Sequence, residues 1–358
     1  MHTTQYACIQ LDYNCKMIKR LCVFVFISIL STRAIGQVNS RIVFYNCENL
    51  FDIYDDPLTK DDERTPQGKF KWTKEKYQSK LYQIANVFKA MALPHNNWPS
   101  VIGLCEIENA KVLSDLQNIL LQLGVKYNII HQDSPDQRGI DVALLYRPNV
   151  YNLLHYEYHN LYLSNRKNEP KFTRDQLVVS GFMNGQLLHI IVVHWPSRSG
   201  GQSRSNPFRI KAAYKSRSLV DSLLSLDASN QIMVMGDFND DPVNYSIQVL
   251  ENGKKHRDTL RNPMRILFKK GIGSIAHQDR WHLFDQILFT SNFLTSKNLQ
   301  LKKIGVFNPS FMTQQIGTYK GYPLRSFSGT SYTNGYSDHY PVYMDLTKPL
   351  APRNPTQY

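Results

Sequence analysis

The sequence predicts an α/β protein in which two mixed β-sheets pack face to face with helices on the outside. Three observations lead there. Apolar runs of strand length recur from Arg41 to Asp345, and many end abruptly in polar residues. Stretches of helical period lie between pairs of these runs, which calls for layered packing of helices on sheets. Two of the runs are joined only by Asn184-Gly185, a strong hairpin signal. The chain has 358 residues, 42% of them hydrophobic, enough for a sizeable core.

From the N-terminus, Met17-Ile18-Lys19-Arg20 followed by the apolar run Leu21 to Leu30, with Ala34 and Gly36 beyond, reads as a signal peptide over about Met17–Gly36. Residues 1–16 read as an extension upstream of the true start, so residues 1–36 stand apart from a catalytic domain over 37–347 and a loose Pro-containing tail over 348–358. The run is too short for an ordinary membrane span. Arg41 to Tyr45 is a β-prone run that stops at Asn46-Cys47-Glu48-Asn49. Tyr77, Leu81, Ile84, Ala85 and Phe88 fall at helical spacing within Trp72 to Met91, and Ser100 to Ile107 is a second strand, delivering Glu106. Asn109 caps a helix with the stripe Val112, Leu113, Leu116, Leu120 and Leu123, ended by Gly124.

Further strands are predicted at Lys126–His131, Asp141–Tyr146, Lys171–Met183 and Gln186–His194. A polar Ser/Gly/Arg loop from Pro196 to Pro207 precedes a helix from about Phe208 to Leu226. Strands Ile232–Met235 and His282–Phe289 follow. Residues 290–333 show no single period and read as loops with a strand or two, and Tyr340 to Asp345 is the last strand.

The formal net charge is +13; setting aside residues 1–36, with Lys16, Lys19, Arg20 and Arg33 against Asp12, leaves +10. A basic chain suits a polyanionic partner, whether nucleic acid, an anionic membrane surface or a wall polymer. Of five cysteines only Cys47 and Cys105 lie beyond residue 36, too few for a disulfide framework. Each reads as a small buried hydrophobe, with a single bridge between them left open.

Asn46, Glu48, Glu106, His194, Asp237, Asn239, Asp285, Asp338 and His339 each stand at or near the end of a predicted buried strand. Carboxylates converging there repel one another unless a cation intervenes. Oxygen donors suit a hard ion, Mg²⁺ with Mn²⁺ or Ca²⁺ as alternatives, whereas no Cys pair or His-Glu-x-x-His is present to favour zinc. Two histidines among the acids imply proton transfer near neutral pH, and with a hard metal they describe attack of water on phosphorus. Arg138, Ser197 and Arg198, with Ser199, Arg204 and Arg209, are placed to contact a polyanion, guanidinium being suited to bidentate phosphate binding. For Asp141 an ion pair with a neighbouring arginine is expected.

The ordered series Asn46-Cys47-Glu48-Asn49-Leu50-Phe51, Gly103-Leu104-Cys105-Glu106-Ile107, Arg138-Gly139-Ile140-Asp141, His194-Trp195-Pro196, Gly236-Asp237-Phe238-Asn239, Phe284-Asp285-Gln286 and Ser337-Asp338-His339-Tyr340-Pro341-Val342 resembles the endonuclease/exonuclease/phosphatase superfamily, of deoxyribonuclease I-like fold. The run Asn46 to Asp52 and the loop His194 to Gly201 further resemble a secreted bacterial branch of it. The resemblance implies a four-layer α/β/β/α sandwich with the site at one end of the two sheets. It also implies that Glu106 is the principal metal ligand, helped by Asn46, Glu48 and Asp338. Asp237 and Asn239 would orient water and hold a phosphate oxygen; His339 paired with Asp285, and His194 opposite, would contact the phosphate or move a proton.

The function expected is a secreted or periplasmic metal-dependent phosphodiesterase, an endonuclease acting on DNA or RNA. It needs no obligate protein partner and no stable membrane anchor. A sphingomyelinase-like phospholipase or a phosphomonoesterase with the same site are the alternatives, and a non-catalytic polyanion binder is a reading of another class. The phospholipase would need an exposed apolar hairpin, for which 307–322 offers only Phe311, Met312 and Ile316.

Overall fold

The structure is a computed structural model that describes residues 40–164, 167–252 and 259–349. The expected signal peptide over Met17–Gly36 and the tail beyond Pro349 lie outside the described residues. In chain order the principal elements are β1 (Ser40–Leu50), α1 (Lys74–Ala90), β2 (Val101–Ile107), α2 (Ala110–Gln122), β3 (Asn128–His131), β4 (Asp141–Tyr146), β5 (Tyr151–His159), β6 (Gln176–Met183) and β7 (Gln186–His194). Then come α3 (Gln202–Leu226), β8 (Gln231–Asp237), α4 (Tyr245–Glu251), β9 (Leu260–Arg261), α5 (Met264–Lys269), β10 (Asp285–Thr290), β11 (Gln300–Val306) and β12 (Val342–Thr347).

Two six-stranded sheets result, with strand orders β11-β12-β1-β2-β4-β3 and β9-β10-β8-β7-β6-β5. Each has one parallel pair, β1 with β2 and β7 with β8, flanked by antiparallel neighbours. A parallel pair cannot be joined by a hairpin, and α1 and α3 lie on the two crossovers. The parallel strands therefore run the same way in each sheet, and their C-terminal ends deliver the polar residues.

Alternation along the strands builds the layers. Ile42, Phe44, Cys105, Val142 and Leu144 of the first sheet meet Ile190, Val192, Met233, Met235, Ile287 and Phe289 of the second in the central core. The other face of the first sheet, with Val43, Tyr45, Cys47, Ile102 and Leu104, is covered by Leu81, Ile84, Phe88, Val112 and Leu116 of α1 and α2. On the far side Val178, Ile191, Val193, Ile232 and Val234 are covered by Ala212, Ala213, Val220, Ile247 and Leu250 of α3 and α4. This is the expected α/β/β/α layering. The two cysteines are buried and free, on opposite faces of the first sheet, so they are not bridged.

Several boundaries match the sequence reading for identifiable reasons. The Asn109 side chain accepts a hydrogen bond from the Val112 amide at 3.0 Å and caps α2, which ends before Gly124 at φ +87°. Asn184 and Gly185 both take positive φ, 52° and 75°, as a two-residue hairpin turn demands. Other boundaries differ. Helix α3 begins at Gln202, not Phe208, and carries Pro207 inside; so near its start the proline forfeits little more than its own hydrogen bond. The predicted strand over 171–183 starts at Gln176, since Pro170–Lys171 pairs instead with Leu163–Ser164. The one predicted over 282–289 is split: Arg280–His282 pairs with Ile275–His277, and β10 begins at Asp285. Strand β5 was not anticipated: it is an edge strand, mostly exposed, whose Tyr, His and Glu residues give no apolar alternation. Helices α4 and α5 are likewise too short to show a period. Among the described residues no helix is long and apolar enough to cross a membrane.

Candidate active site

The inward-facing row of the central core does not stop at its last apolar residue. After Ile190 and Val192 comes His194, after Met233 and Met235 comes Asp237, and before Ile287 and Phe289 stands Asp285. These three are directly opposite one another across β7, β8 and β10: Asp237 is in register with His194 on one side and Asp285 on the other. From the facing sheet Ile42 and Phe44 are followed by Asn46, whose Nδ2 donates to Asp237 Oδ2 at 3.0 Å. His194 Nε2 stands 3.7 Å and His339 Nε2 3.9 Å from that same oxygen. His339 is held from behind by Asp285, whose Oδ2 is 2.6 Å from Nδ1. The ligand atoms of Asp237, Asp285 and His339 lie within 4.8 Å of one another.

Asn239 sits beyond the strand end with φ 49°; its amide nitrogen donates to Asp237 Oδ1 at 2.9 Å and its Nδ2 to the Trp195 carbonyl at 3.0 Å. Ser337, named in the last motif but given no role there, ties the halves together. Its Oγ donates to the Asn46 carbonyl (2.8 Å) and accepts from the His339 amide (3.0 Å). The signal was its place one residue before Asp338-His339.

The remaining carboxylates leave the alternating pattern. Glu48, Asn49 and Glu106 adopt φ of 50°, 54° and 60°, at the point where the β1–β2 register shifts. Left-handed backbone at three non-glycine residues costs of order 1 kcal/mol each and marks a bulge that re-aims the side chains. Glu106 Oε2 accepts from the Asn49 amide at 2.8 Å, and Glu48 Oε2 from the Ser326 amide at 2.6 Å. Glu48 is flanked by buried Lys80 at 3.7 Å and by Arg325 at 3.7 Å, while Arg325 also binds Asp338 at 2.6 Å. Neither cation was foreseen; Lys80 lies on the buried stripe of α1, where a lysine at a core position is itself the clue.

The electrostatics follow from burial and charge. Burial, reinforced by Asp338, raises the Glu48 carboxyl above its ordinary range. Burial, opposed by His339 and reinforced by Asp285, pushes Asp237 up to about 7. His194 is held well below the usual histidine range by burial and then by Arg174, Arg138 and His339, so it is neutral. Burial alone would do the same to His339, yet Asp285, Asp237 and Asp338 together outweigh it and hold this ring charged. Glu106 has no cationic partner within 4.0 Å among the described residues. The oxygens of Asp237 and Asp285 and the His339 ring lie close enough together to hold a metal ion, and Glu48, Glu106, Asp338 and Asn46 at the neighbouring strand ends are oxygen donors of the kind a hard divalent cation takes.

Of the polyanion-binding candidates, Arg138 has its side chain 47% exposed, with its nearest acid, Asp136, 3.8 Å away. Ser197 is exposed beside it. Arg198 is placed differently from the expectation: its guanidinium donates to the Asn239 carbonyl (2.9 Å), Asp240 (3.1 Å) and Asp241 (3.2 Å) and covers the Phe284 ring. It clamps the loop after β8, because three acceptors there outcompete solvent for it. Arg209 is fully buried in α3, 2.8 Å from Asp240, and is not a loop residue at all. Asp141 pairs with no arginine but with His131 Nε2 at 3.2 Å and with the Ser134 amide and hydroxyl.

A cavity of about 830 Å³ opens next to Pro196 and Ser197. Arg138, Lys167, Lys171, Arg174 and Arg204 line it against the carboxylates of Asp136 and Glu169. Arg174 is missing from the sequence reading, hidden in a run taken for a strand.

Solved structures with this fold include a humanized D. rerio TDP2 (12% identity, TM-score 0.54, covering 87% of this chain and 100% of that one). A D. rerio TDP2 complexed with single strand DNA product is 14% identical, with a TM-score of 0.52 over 86% of this chain and 98% of that one. A mannosyl-6-phosphatase of Bacteroides thetaiotaomicron VPI-5482 is 16% identical, with a TM-score of 0.50 over 86% and 100%. No curated protein sequence matches the chain. The sequence profile of the Endonuclease/Exonuclease/phosphatase family matches residues 41–348, from the first strand through the last and so across every residue of the cluster around Asp237. The chain therefore belongs to the Endonuclease/Exonuclease/phosphatase family of phosphoester hydrolases.

Proposed function

We propose that the protein is a metal-dependent phosphodiesterase, an endonuclease that hydrolyses DNA or RNA by in-line attack of water. The observation that carries this reading is the convergence of Asn46, His194 and His339 on one carboxylate oxygen of Asp237. An acceptor so placed, with Asn239 locked to its other oxygen, can orient a water molecule and take its proton. His339, oriented by Asp285, presents Nε2 to the same point and can hold a non-bridging phosphate oxygen or deliver a proton to the leaving one. His194, neutral, faces it from the neighbouring strand and can hold a phosphate oxygen from the other side. Glu106, with Glu48, Asp338 and Asn46, would hold the ion, for which Mg²⁺ is the proposed identity with Mn²⁺ or Ca²⁺ as substitutes. Once bound there it would neutralise charge on the leaving oxygen.

Nucleic acid is favoured as substrate by the net charge, +13 for the whole chain and +10 without residues 1–36, and by the cationic cavity next to Pro196 and Ser197. The lipid alternative gains little: Met312 is buried, and although Thr313 and Pro323 pair in an antiparallel bridge that closes a loop, the large apolar residues this loop exposes between them are only Ile316 and Tyr319. The proposed location is the periplasm or the medium, which N-terminal sequencing of the mature chain checks: a start near Gln37 is expected.

Hydrolysis of plasmid DNA, RNA, sphingomyelin and bis(p-nitrophenyl) phosphate, with each metal or with chelator, tests the function. Metal-dependent nicking of plasmid or cleavage of RNA, abolished by chelator, is the expected result. Release of p-nitrophenol with nucleic acids left intact would remove the endonuclease reading, and silence on all four would remove the enzyme.

A further inference from the structure

Two residues that line the 830 Å³ cavity each carry a buried polar atom, Thr173 Oγ1 and Arg174 Nε, with no hydrogen-bond partner among the described residues. Thr173 is 2% and Arg174 5% exposed. Leaving such a group unpaired costs about 1–3 kcal/mol, a cost that a bound ligand can remove. The Arg174 guanidinium is fixed by its other nitrogens, Nη1 on Asp136 (3.0 Å) and Nη2 on the Trp195 carbonyl (2.6 Å). That carbonyl also receives Asn239 Nδ2, so the cavity wall and the reaction centre share one atom.

Above this floor the wall is cationic and aromatic. Lys171 and Arg204 are exposed, Phe172 is 52% exposed, and Lys171 Nζ lies 5.5 Å from the centre of the Phe208 ring. A fixed anion site next to an open aromatic face matches a phosphate with a base attached. The cavity adjoins the reaction centre through Pro196, two residues after His194, and through the shared Trp195 carbonyl. A duplex keeps its bases stacked on one another, away from Phe172.

We propose that this cavity is a second phosphate subsite, in which Arg174 and Thr173 hold the phosphate neighbouring the one cleaved while Phe172 stacks its base, so that the substrate class is single-stranded polynucleotide. The subsite rests on the phosphodiesterase reading given above.

The test compares the wild-type full chain with Lys171→Glu/Phe172→Ala, both exposed positions, and with the near-isosteric Thr173→Val. Substrates are bis(p-nitrophenyl) phosphate, a dinucleotide with one phosphate, longer single-stranded oligonucleotides, and a duplex of the same sequence. For wild type, kcat/KM is expected to rise about 10-fold or more once a second phosphate and base are present, the scale of one stacked base, and to fall on the duplex. The double variant loses that rise and shows a shallower dependence of KM on salt, while its hydrolysis of the small diester stays within about twofold of wild type. A wild type indifferent to the second phosphate, or variants that keep the full rise, overturns the subsite. Cleavage of the small diester with no oligonucleotide cleaved overturns the subsite but leaves the phosphodiesterase, whereas no turnover of any substrate overturns both.

Discussion

At the scale of single residues, Asp237 is the group on which the others depend, since Asn46, His194 and His339 all address its Oδ2. Asp237→Ala and His339→Ala should each lower turnover of any accepted substrate roughly 10²–10⁴-fold, the usual worth of a positioned acid or base, with the circular dichroism of the folded chain unchanged. Arg198 should behave oppositely. Having given its donors to Asn239, Asp240 and Asp241, it is a loop clamp, so Arg198→Ala should lower stability by about 1–3 kcal/mol in urea unfolding and change KM for nucleic acid little. An increase in KM as large as the one caused by Arg138→Ala would return Arg198 to the substrate. The difference between these arginines could not be read from sequence, because both lie in polar loops and only the fold brings three acceptors to one of them. Asp237, His194 and Asp285 were legible for the opposite reason: each follows or precedes an apolar run whose alternation already fixes its face.

At the scale of elements, the β7–β8 pair sets the distance between His194 and Asp237. A Cβ at Gly236 would lie 2.2 Å from the Val193 carbonyl oxygen, so Gly236→Ala must push the two strands apart. Loss of activity together with a fall in melting temperature is expected; a variant that melts like wild type and keeps its kcat would show that the strands absorb the methyl. Within β7, His189 is buried and bonded through Nδ1 to Ser180 at 2.8 Å. Burial, only partly opposed by Asn230, lowers its pKa below 6.5. The unfolded chain then binds a proton near pH 6.5 that the folded chain refuses, so stability present above that pH is lost as pH falls below it. In thermal melts from pH 7.5 down to pH ~5, His189→Gln should lose less melting temperature than wild type. The strands that were legible are the buried ones with unbroken β-branched runs. β5 was not, since an edge strand facing solvent needs no apolar side chains, and the bulges at Glu48 and Glu106 were not, since positive φ at glutamate leaves no mark in sequence.

At the scale of the whole molecule, the two sheets repeat one order of pairings around a single parallel pair, although the sequence shows no repeat. Backbone hydrogen bonding carries that likeness, and it constrains side chains only as inward or outward. The carboxylates Glu48, Glu106 and Asp338 come from β1, from β2 and from the residues just before β12, far apart in the chain, so a cation bound by them is held only in the folded state. Mg²⁺ should accordingly raise the melting temperature even without substrate: at 100 times its dissociation constant the gain is about 2.7 kcal/mol. Glu106→Gln should abolish most of that rise, and a rise equal to wild type would place the ion elsewhere.

The register of His194, Asp237 and Asp285 across three hydrogen-bonded strands has a wider consequence. Their spacing is a multiple of the interstrand distance of about 4.8 Å, which any sheet supplies whatever its loops contain. The spacing of these three residues is thereby insulated from loops such as the one that carries Phe172. Those loops are free to drift, by insertion or substitution, toward new phosphoesters without retuning the reaction, so one inherited sheet lattice can serve a succession of substrates.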